Sequence, residues 1–228
     1  MQAVILAAGL GTRMGSLTKD RPKPLLTIAH KSLLHHGLDA LPDEVEEVIL
    51  VVGYLAHQIK SAIGDSYNGK KITYIEQKEL KGTGHALSIC KDLLKDKFLV
   101  IMGDDLYSKE DLTELASHPM SILIREITED SKNDFFAEVV VDNTGKLVDI
   151  VERQPVRSGS FANCGAYVMD KRFFDLPLAL AGNKTAELGL PQTMLGLVKK
   201  GERIDIVKAT KWHKVTSPED LQEVDSNQ

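Results

Sequence analysis

Four short apolar runs punctuate the first half of the chain: AVILAA (3–8), VILVV (48–52), ITYI (72–75) and FLVIM (98–102). None alternates apolar with polar residues, which is the pattern of strands buried on both faces. Between these runs, segments 32–41, 56–63 and 84–94 predict helices. Strand and helix in alternation predict an α/β fold, a largely parallel sheet with helices on both faces. Ser108, with Asp111 three residues later, predicts an N-cap and a further helix.

After Met120 the pattern changes. AEVVVD and KLVDIVE flank Asn143-Thr144-Gly145, which predicts a β-hairpin added antiparallel to the sheet. CGAYVM (164–169) predicts another strand. Two helical stretches follow, the second over 187–200 with Gly201 closing it. IDIVKA (204–209) predicts a late strand, and Pro218 opens a short terminal helix. With no internal repeat and no low-complexity linker, the expectation is one three-layer domain over 1–228, divided into halves 1–118 and 119–228.

Charge and composition narrow the partners. The 28 basic and 33 acidic side chains leave a net charge of −5, so no general attraction for nucleic acid or anionic membrane is expected. Cys90 and Cys164 are too few for a disulfide framework and too isolated for zinc, and are expected to be buried thiols. No apolar stretch approaches the ~20 residues that span a bilayer. The first apolar run has no basic segment before it and continues into glycines, so a signal peptide is not expected. The expectation is a soluble, cytoplasmic protein; oligomeric state is left open.

The candidate chemistry begins in LAAGLGTRMGSLTKDRPKPLL, where Gly9, Gly11 and Gly15 follow the first strand. A dinucleotide fingerprint needs G-x-G-x-x-G running straight into a helix, and an acidic residue closing the second strand. Here the third glycine is displaced by one position, Pro22 and Pro24 interrupt any long helix, and the second strand ends VVGY. No Gly-Lys-Ser/Thr follows, so a P-loop fits worse. Glycines that admit phosphate close to the backbone, the planar fork of Arg13 and the compact charge of Lys23 together suit a triphosphate. A glycine-rich turn with solvated basic side chains is the plain alternative.

LAAGLGTRM…RPKPLL resembles the signature of the sugar-1-phosphate nucleotidyltransferases, the nucleotide-sugar pyrophosphorylases. QKELKGTGHA (77–86) is similar to the base-recognition segment of the N-acetylglucosamine-1-phosphate and glucose-1-phosphate uridylyltransferases. MGDD (102–105) resembles the family's metal-binding strand end, VDIVERQ (148–154) its sugar-contacting strand, and 201–221 its C-terminal segment. The resemblance implies a Rossmann-like, glycosyltransferase-A-like fold. It also implies transfer of a nucleotidyl group from a nucleoside triphosphate, with UTP favoured, to a sugar-1-phosphate, with release of pyrophosphate. Carried over by position, Leu6 and the backbone from Ala8 through Gly9 and Gly11 to Thr12 would hold the nucleotide. Gln77, Gly82 and Thr83 would read the base. Arg13, Lys23 and Asp104 would be catalytic, Asp104 also as the Mg²⁺ ligand, and Glu152 and Asn163 would hold the sugar.

Three positions depart from the family pattern. Phe136-Ala137 stands where many relatives have Tyr-Gly, and Glu152-Arg153 where many have Glu-Lys. In WHKVTSPEDL, Lys214 occupies the place of an aspartate that serves relatives as a second metal ligand. Lys214 could supply charge in place of metal, another carboxylate could substitute, or the protein could be a non-catalytic binder of nucleotide or sugar phosphate. Guanylyl and thymidylyl transfer are the alternatives within the family. The sequence carries no hexapeptide-repeat tail, so no attached acetyltransferase is expected.

Overall fold

The computed structural model of the chain describes residues 1–128, 135–155, 157–182 and 185–226. Its frame is a ten-stranded mixed sheet. In chain order the strands are β1 Gln2–Ala7, β2 Glu47–Val52, β3 Ser66–Tyr67, β4 Lys70–Glu76 and β5 Phe98–Met102. They continue as β6 Ser121–Glu126, β7 Phe135–Val141, β8 Leu147–Pro155, β9 Phe161–Met169 and β10 Asp205–Lys208. β1 lies between β2 and β5, parallel to both, and β4 extends the parallel set beyond β2. Every residue of β1 is buried. Ala3, Ile5 and Ala7 face one helical layer while Val4 and Leu6 face the other. A strand covered on both faces cannot tolerate polar alternation, and this is why the four apolar runs read as they do.

The helices are α1 Leu33–Asp39, α2 Ala56–Ile63, α3 Thr83–Ser88, α4 Lys109–Ser117, α5 Leu190–Lys199 and α6 Pro218–Ser226. Leu34 and Leu38 of α1, Ile59 of α2 and Leu112 of α4 share one core cluster; Ala86 of α3 and Leu190 and Met194 of α5 belong to the other. The predicted N-cap is present: the Ser108 hydroxyl accepts from the Asp111 amide at 3.1 Å. None of these helices is long and apolar enough to cross a membrane, among the described residues.

Two helix expectations need correction. The helix expected over 84–94 spans only Thr83–Ser88. Beyond it, bonds such as Cys90 N to Leu87 O at 2.9 Å tighten the chain into three-residue turns. The helix expected from 187 starts at Leu190, because Pro191 would clash with the carbonyl four residues back in a longer helix. Leu188–Gly189 instead pairs with Ala179–Leu180 in a small ribbon.

The second half joins the sheet rather than standing apart from it. β7 and β8 form the expected hairpin, and Asp142 closes its turn by accepting from the amides of Thr144 and Lys146 at 2.8 and 3.0 Å. β9 begins against β7 and ends against β5, with β6 on its other edge throughout. Its register slips between Asn163 and Tyr167, a bulge of the kind that re-aims side chains beside sites. β6, which the sequence reading passes over, is thus central: it carries β9 on one side and the parallel β10 on the other.

A two-residue turn joins Thr27–Ile28 to Lys31–Ser32. Both turn residues are left-handed, Ala29 at φ 48° and His30 at φ 63°. Such turns favour Asn-Gly, and a side chain with Cβ in this region costs about 1–2 kcal/mol. Replacing Ala29-His30 by Asn-Gly should therefore raise unfolding stability by about 1 kcal/mol, allowing for the entropy glycine adds to the unfolded chain. The shift of the urea midpoint at unchanged slope measures it.

Candidate active site

The parallel strands β1, β2, β4 and β5 all end at one edge of the sheet, where open α/β folds bind ligands. Four loops therefore converge: 8–11, 53–55, 77–82 and 103–105. The first leaves β1 beside buried Ala8, whose carbonyl accepts from the Tyr54 amide at 3.2 Å. The Leu6 carbonyl is likewise committed, to the Gly103 amide at 2.9 Å. By contrast the amides of Gly9, Leu10 and Gly11 donate to no acceptor among the described residues. Gly11 turns the chain at φ 66°, and a Cβ there would lie 2.9 Å from the Lys23 Cβ, so only glycine lets this loop and Lys23 pack together. Thr12 opens a run of three-residue turns to Thr18, and Arg13 on it is exposed, with no side-chain partner among the described residues.

Lys23 has the opposite environment. It opens a single turn, Lys23–Leu25, with Pro24 behind it, and is only 6% exposed. A buried ammonium needs partners. It has two: the Asp104 carboxylate, at 2.5 Å from Oδ2, and the Val215 carbonyl. Two residues expected at the site from separate parts of the sequence are thus in direct contact. Asp104 is about one-third exposed, and its second oxygen has no hydrogen bond among the described residues.

Asp105 points the other way. Buried at 8% exposure, it accepts from the Trp212 indole at 3.2 Å and the Val215 amide at 3.3 Å. Burial and then the Asp104 charge push its carboxyl up to about 7, against the pull of Lys23, the Val215 amide and the indole. Its visible work is to hold the C-terminal loop whose Val215 carbonyl receives Lys23. The next residue back, Lys214, lies 4.6 Å from the centre of the Phe136 ring, and Phe136 stands 6.0 Å from Trp212. Two of the departures from the family pattern therefore touch each other. Arg153 bears the third, and its side chain lies outside the described residues.

The 77–83 segment is tied down from both sides. Gln77 is buried at 5% exposure; its Nε2 donates to the Gly82 carbonyl at 3.0 Å and lies 3.0 Å from His85 Nδ1. With both N–H groups used, the carbonyl oxygen is what Gln77 has left for a ligand, narrower than the donor-and-acceptor edge expected from its type. Gly82 sits at φ 94° with Leu188 so close that a Cβ would fall 2.5 Å from its carbonyl oxygen. The Thr83 hydroxyl accepts from the Leu190 amide at 3.1 Å, which anchors the start of α5.

On β8, Glu152 accepts from Gln192 Nε2 of α5 at 3.0 Å. Gln192 is a residue the sequence reading missed, and its Oε1 is buried without a partner among the described residues. Its place directly after Pro191 at an unremarkable helix start gives no local signal. Asn163 sits at the β9 bulge, where its Oδ1 accepts from the Gly165 amide at 2.9 Å and its Nδ2 lies 2.7 Å from the Tyr167 hydroxyl. No group of three His, Cys, Asp or Glu side chains could hold a metal among the described residues. A Mg²⁺ ion, which takes one or two carboxylates and fills its shell with phosphate and water, fits the half-engaged Asp104 as its protein ligand.

The nucleotidyl transferase family profile matches residues 2–228. The chain is 33% identical over 226 residues to the bifunctional protein GlmU of Methanocaldococcus jannaschii, an overlap covering 98% of this chain and 53% of that protein. It is 28% identical over 237 residues to the UTP–glucose-1-phosphate uridylyltransferase AglF of Haloferax volcanii, covering 99% and 95%. The chain thus spans about half the length of its GlmU relatives. A UDP-glucose pyrophosphorylase solved with UDP-glucose shares the fold with a TM-score of 0.80 at 23% identity, over 99% of this chain and 97% of that one. A glucose-1-phosphate thymidylyltransferase from Bacillus anthracis, solved with sucrose, superposes with a TM-score of 0.83 at 22% identity, over 100% and 94%.

The corner built on Asp105 yields a direct test. Trp212→Phe keeps the ring packing and removes the indole donor from a buried carboxylate. It should lower stability by about 1–3 kcal/mol, measured by urea unfolding followed by far-ultraviolet circular dichroism.

Proposed function

We propose that this chain, which belongs to the nucleotidyl transferase family, joins a sugar-1-phosphate to UTP and releases pyrophosphate. An oxygen of the sugar phosphate bonds to the α-phosphorus, and the bond from that phosphorus to the bridging β oxygen breaks in line behind it. Two polyanions must meet, so the protein's task is placement and charge neutralisation, with no covalent nucleophile. What supports this reading is one arrangement: unpaired loop amides at Gly9, Leu10 and Gly11 beside a buried Lys23 that already faces Asp104.

In this reading the amides and exposed Arg13 receive the β and γ phosphates, which depart as pyrophosphate. Lys23 lies against the α-phosphate and the incoming sugar phosphate, where charge builds in the transition state. Asp104 would hold Mg²⁺ together with phosphate oxygens, and the ion would supply further neutralisation of the triphosphate. The carbonyl oxygen of Gln77 accepts from the imide N–H of uracil. Thymine offers the same imide N–H, so uridylyl and thymidylyl transfer share this contact. Opposite, Gln192 donates to Glu152 through Nε2, and its Oε1, without a partner among the described residues, calls for a donor, which a sugar hydroxyl or an acetamido N–H supplies. The unpaired thiols Cys90 and Cys164 suit a reducing cytoplasm.

The test is a mixture of protein, Mg²⁺ and UTP with a panel of sugar-1-phosphates, read by pyrophosphate release and product mass. Nucleotide binding without pyrophosphate release from any sugar would make the protein a binder rather than a transferase. Lys23→Ala should cut kcat by about 10²–10³-fold while changing nucleotide affinity only a few-fold. Excess chelator should abolish turnover, and full activity in chelator would remove Mg²⁺ from the site.

A further inference from the structure

Beside the Arg21–Leu25 segment the surface opens into a shallow, open cleft of about 540 Å³. Its charged and titratable lining is of one kind: Arg21, His30, Lys31 and His35, with Leu25 and Gln58 among the remaining walls and no carboxylate. For a chain of net charge −5 this is a local reversal of sign. Lys31 is partly neutralised by Asp39, 2.5 Å away, whereas Arg21 is exposed and has no side-chain partner among the described residues. Burial holds the His35 imidazole below its ordinary value, and Ser32 Oγ lies 2.7 Å from its Nδ1, which leaves Nε2 for another contact.

A second observation is independent of charge. His30 reaches the cleft from the left-handed turn described above, where glycine would sit without strain. Strained backbone persists where something other than stability is served. Here it places an exposed imidazole at the rim of a basic surface cleft.

We propose that this cleft is a second anion site, for a small molecule bearing a phosphate group, and that its occupancy is felt at Lys23. Arg21 supplies the planar fork that phosphate favours, and Lys31, His30 and His35 supply further donors. Arg21 and Leu25 stand two residues to either side of Lys23, in a segment stiffened by Pro22 and Pro24. A ligand held by Arg21 and Leu25 therefore grips both ends of the turn that presents the Lys23 ammonium to Asp104. Gln58 ties the same segment to α2, its Nε2 donating to the Asp20 carbonyl at 2.9 Å. The coupling half of this proposal rests on the role given to Lys23 above; the binding half does not.

Inorganic phosphate is the probe, titrated into the labelled full chain at constant pH, with sodium chloride at matched ionic strength as the control. The histidine ring and backbone amide resonances are followed by NMR. The proposal expects the His30 and His35 rings to shift along one saturable curve, and the amides of Lys23 and Leu25 to follow it. Arg21→Gln should weaken that binding about tenfold, the loss of one charge-assisted contact, with unchanged thermal unfolding. Lys31→Gln, on a side chain 46% exposed, should weaken it in the same direction. Unsaturable shifts, a response confined to His85 beside Gln77, or unaltered affinity in both variants would overturn the site. Saturable histidine shifts with motionless Lys23 and Leu25 amides would overturn the coupling alone. Inactivity towards every sugar-1-phosphate with the histidine curve intact would count against the proposed transferase reaction and leave the site standing.

Discussion

One buried ammonium organises this molecule. Lys23 meets a carboxylate 81 residues away and a carbonyl 192 residues away. It thereby fastens the loop after the first strand, the end of the fifth strand and the C-terminal loop to one point. A lysine so deeply covered is tolerated only with such partners, and removing Asp104 leaves a buried ammonium without its counter-charge. The surroundings are shaped to keep it there. Gly11 permits the close approach, Pro24 shapes the turn, and Asp105 pins the loop that carries Val215. The proposed chemistry and the fold thus draw on the same few contacts at the sheet's carboxyl edge.

Much of this was legible in the chain. The doubly buried strands announced themselves because a residue with helices on both sides has no polar face to show, and Asn143-Thr144-Gly145 marked its hairpin by turn chemistry alone. Asp104 could be assigned to the sheet's carboxyl edge because it directly follows an apolar run, whereas Lys23 was marked by its flanking prolines and by the family resemblance. What could not be read were relations set by tertiary contact. β6 offers only the short apolar stretch Ile122, Leu123 and Ile124, and its importance comes from the two strands it joins. The start of α5 is decided by a proline and by pairing across the Ala179–Leu180 ribbon. Gln192 has no local signal, because its meaning depends on Glu152, 40 residues away in sequence.

Two departures from the family pattern, widely separated in the sequence, turn out to be neighbours. Phe136 offers its ring to Lys214 and stacks obliquely near Trp212. Phe136 has a purely apolar edge and a face that attracts a cation, and Lys214 supplies that cation from the adjacent loop. The two side chains and Trp212 form one corner, on the loop that also receives Lys23.

That corner contains the chain's single tryptophan, its indole nitrogen 3.2 Å from a buried carboxylate. Indole emission responds to the polarity and charge around the ring. Any rearrangement that swings the C-terminal loop off Asp105, or changes the charge of that carboxyl, alters the light the protein gives out. The molecule therefore carries its own optical gauge, placed one loop away from the ammonium on which everything else is hung.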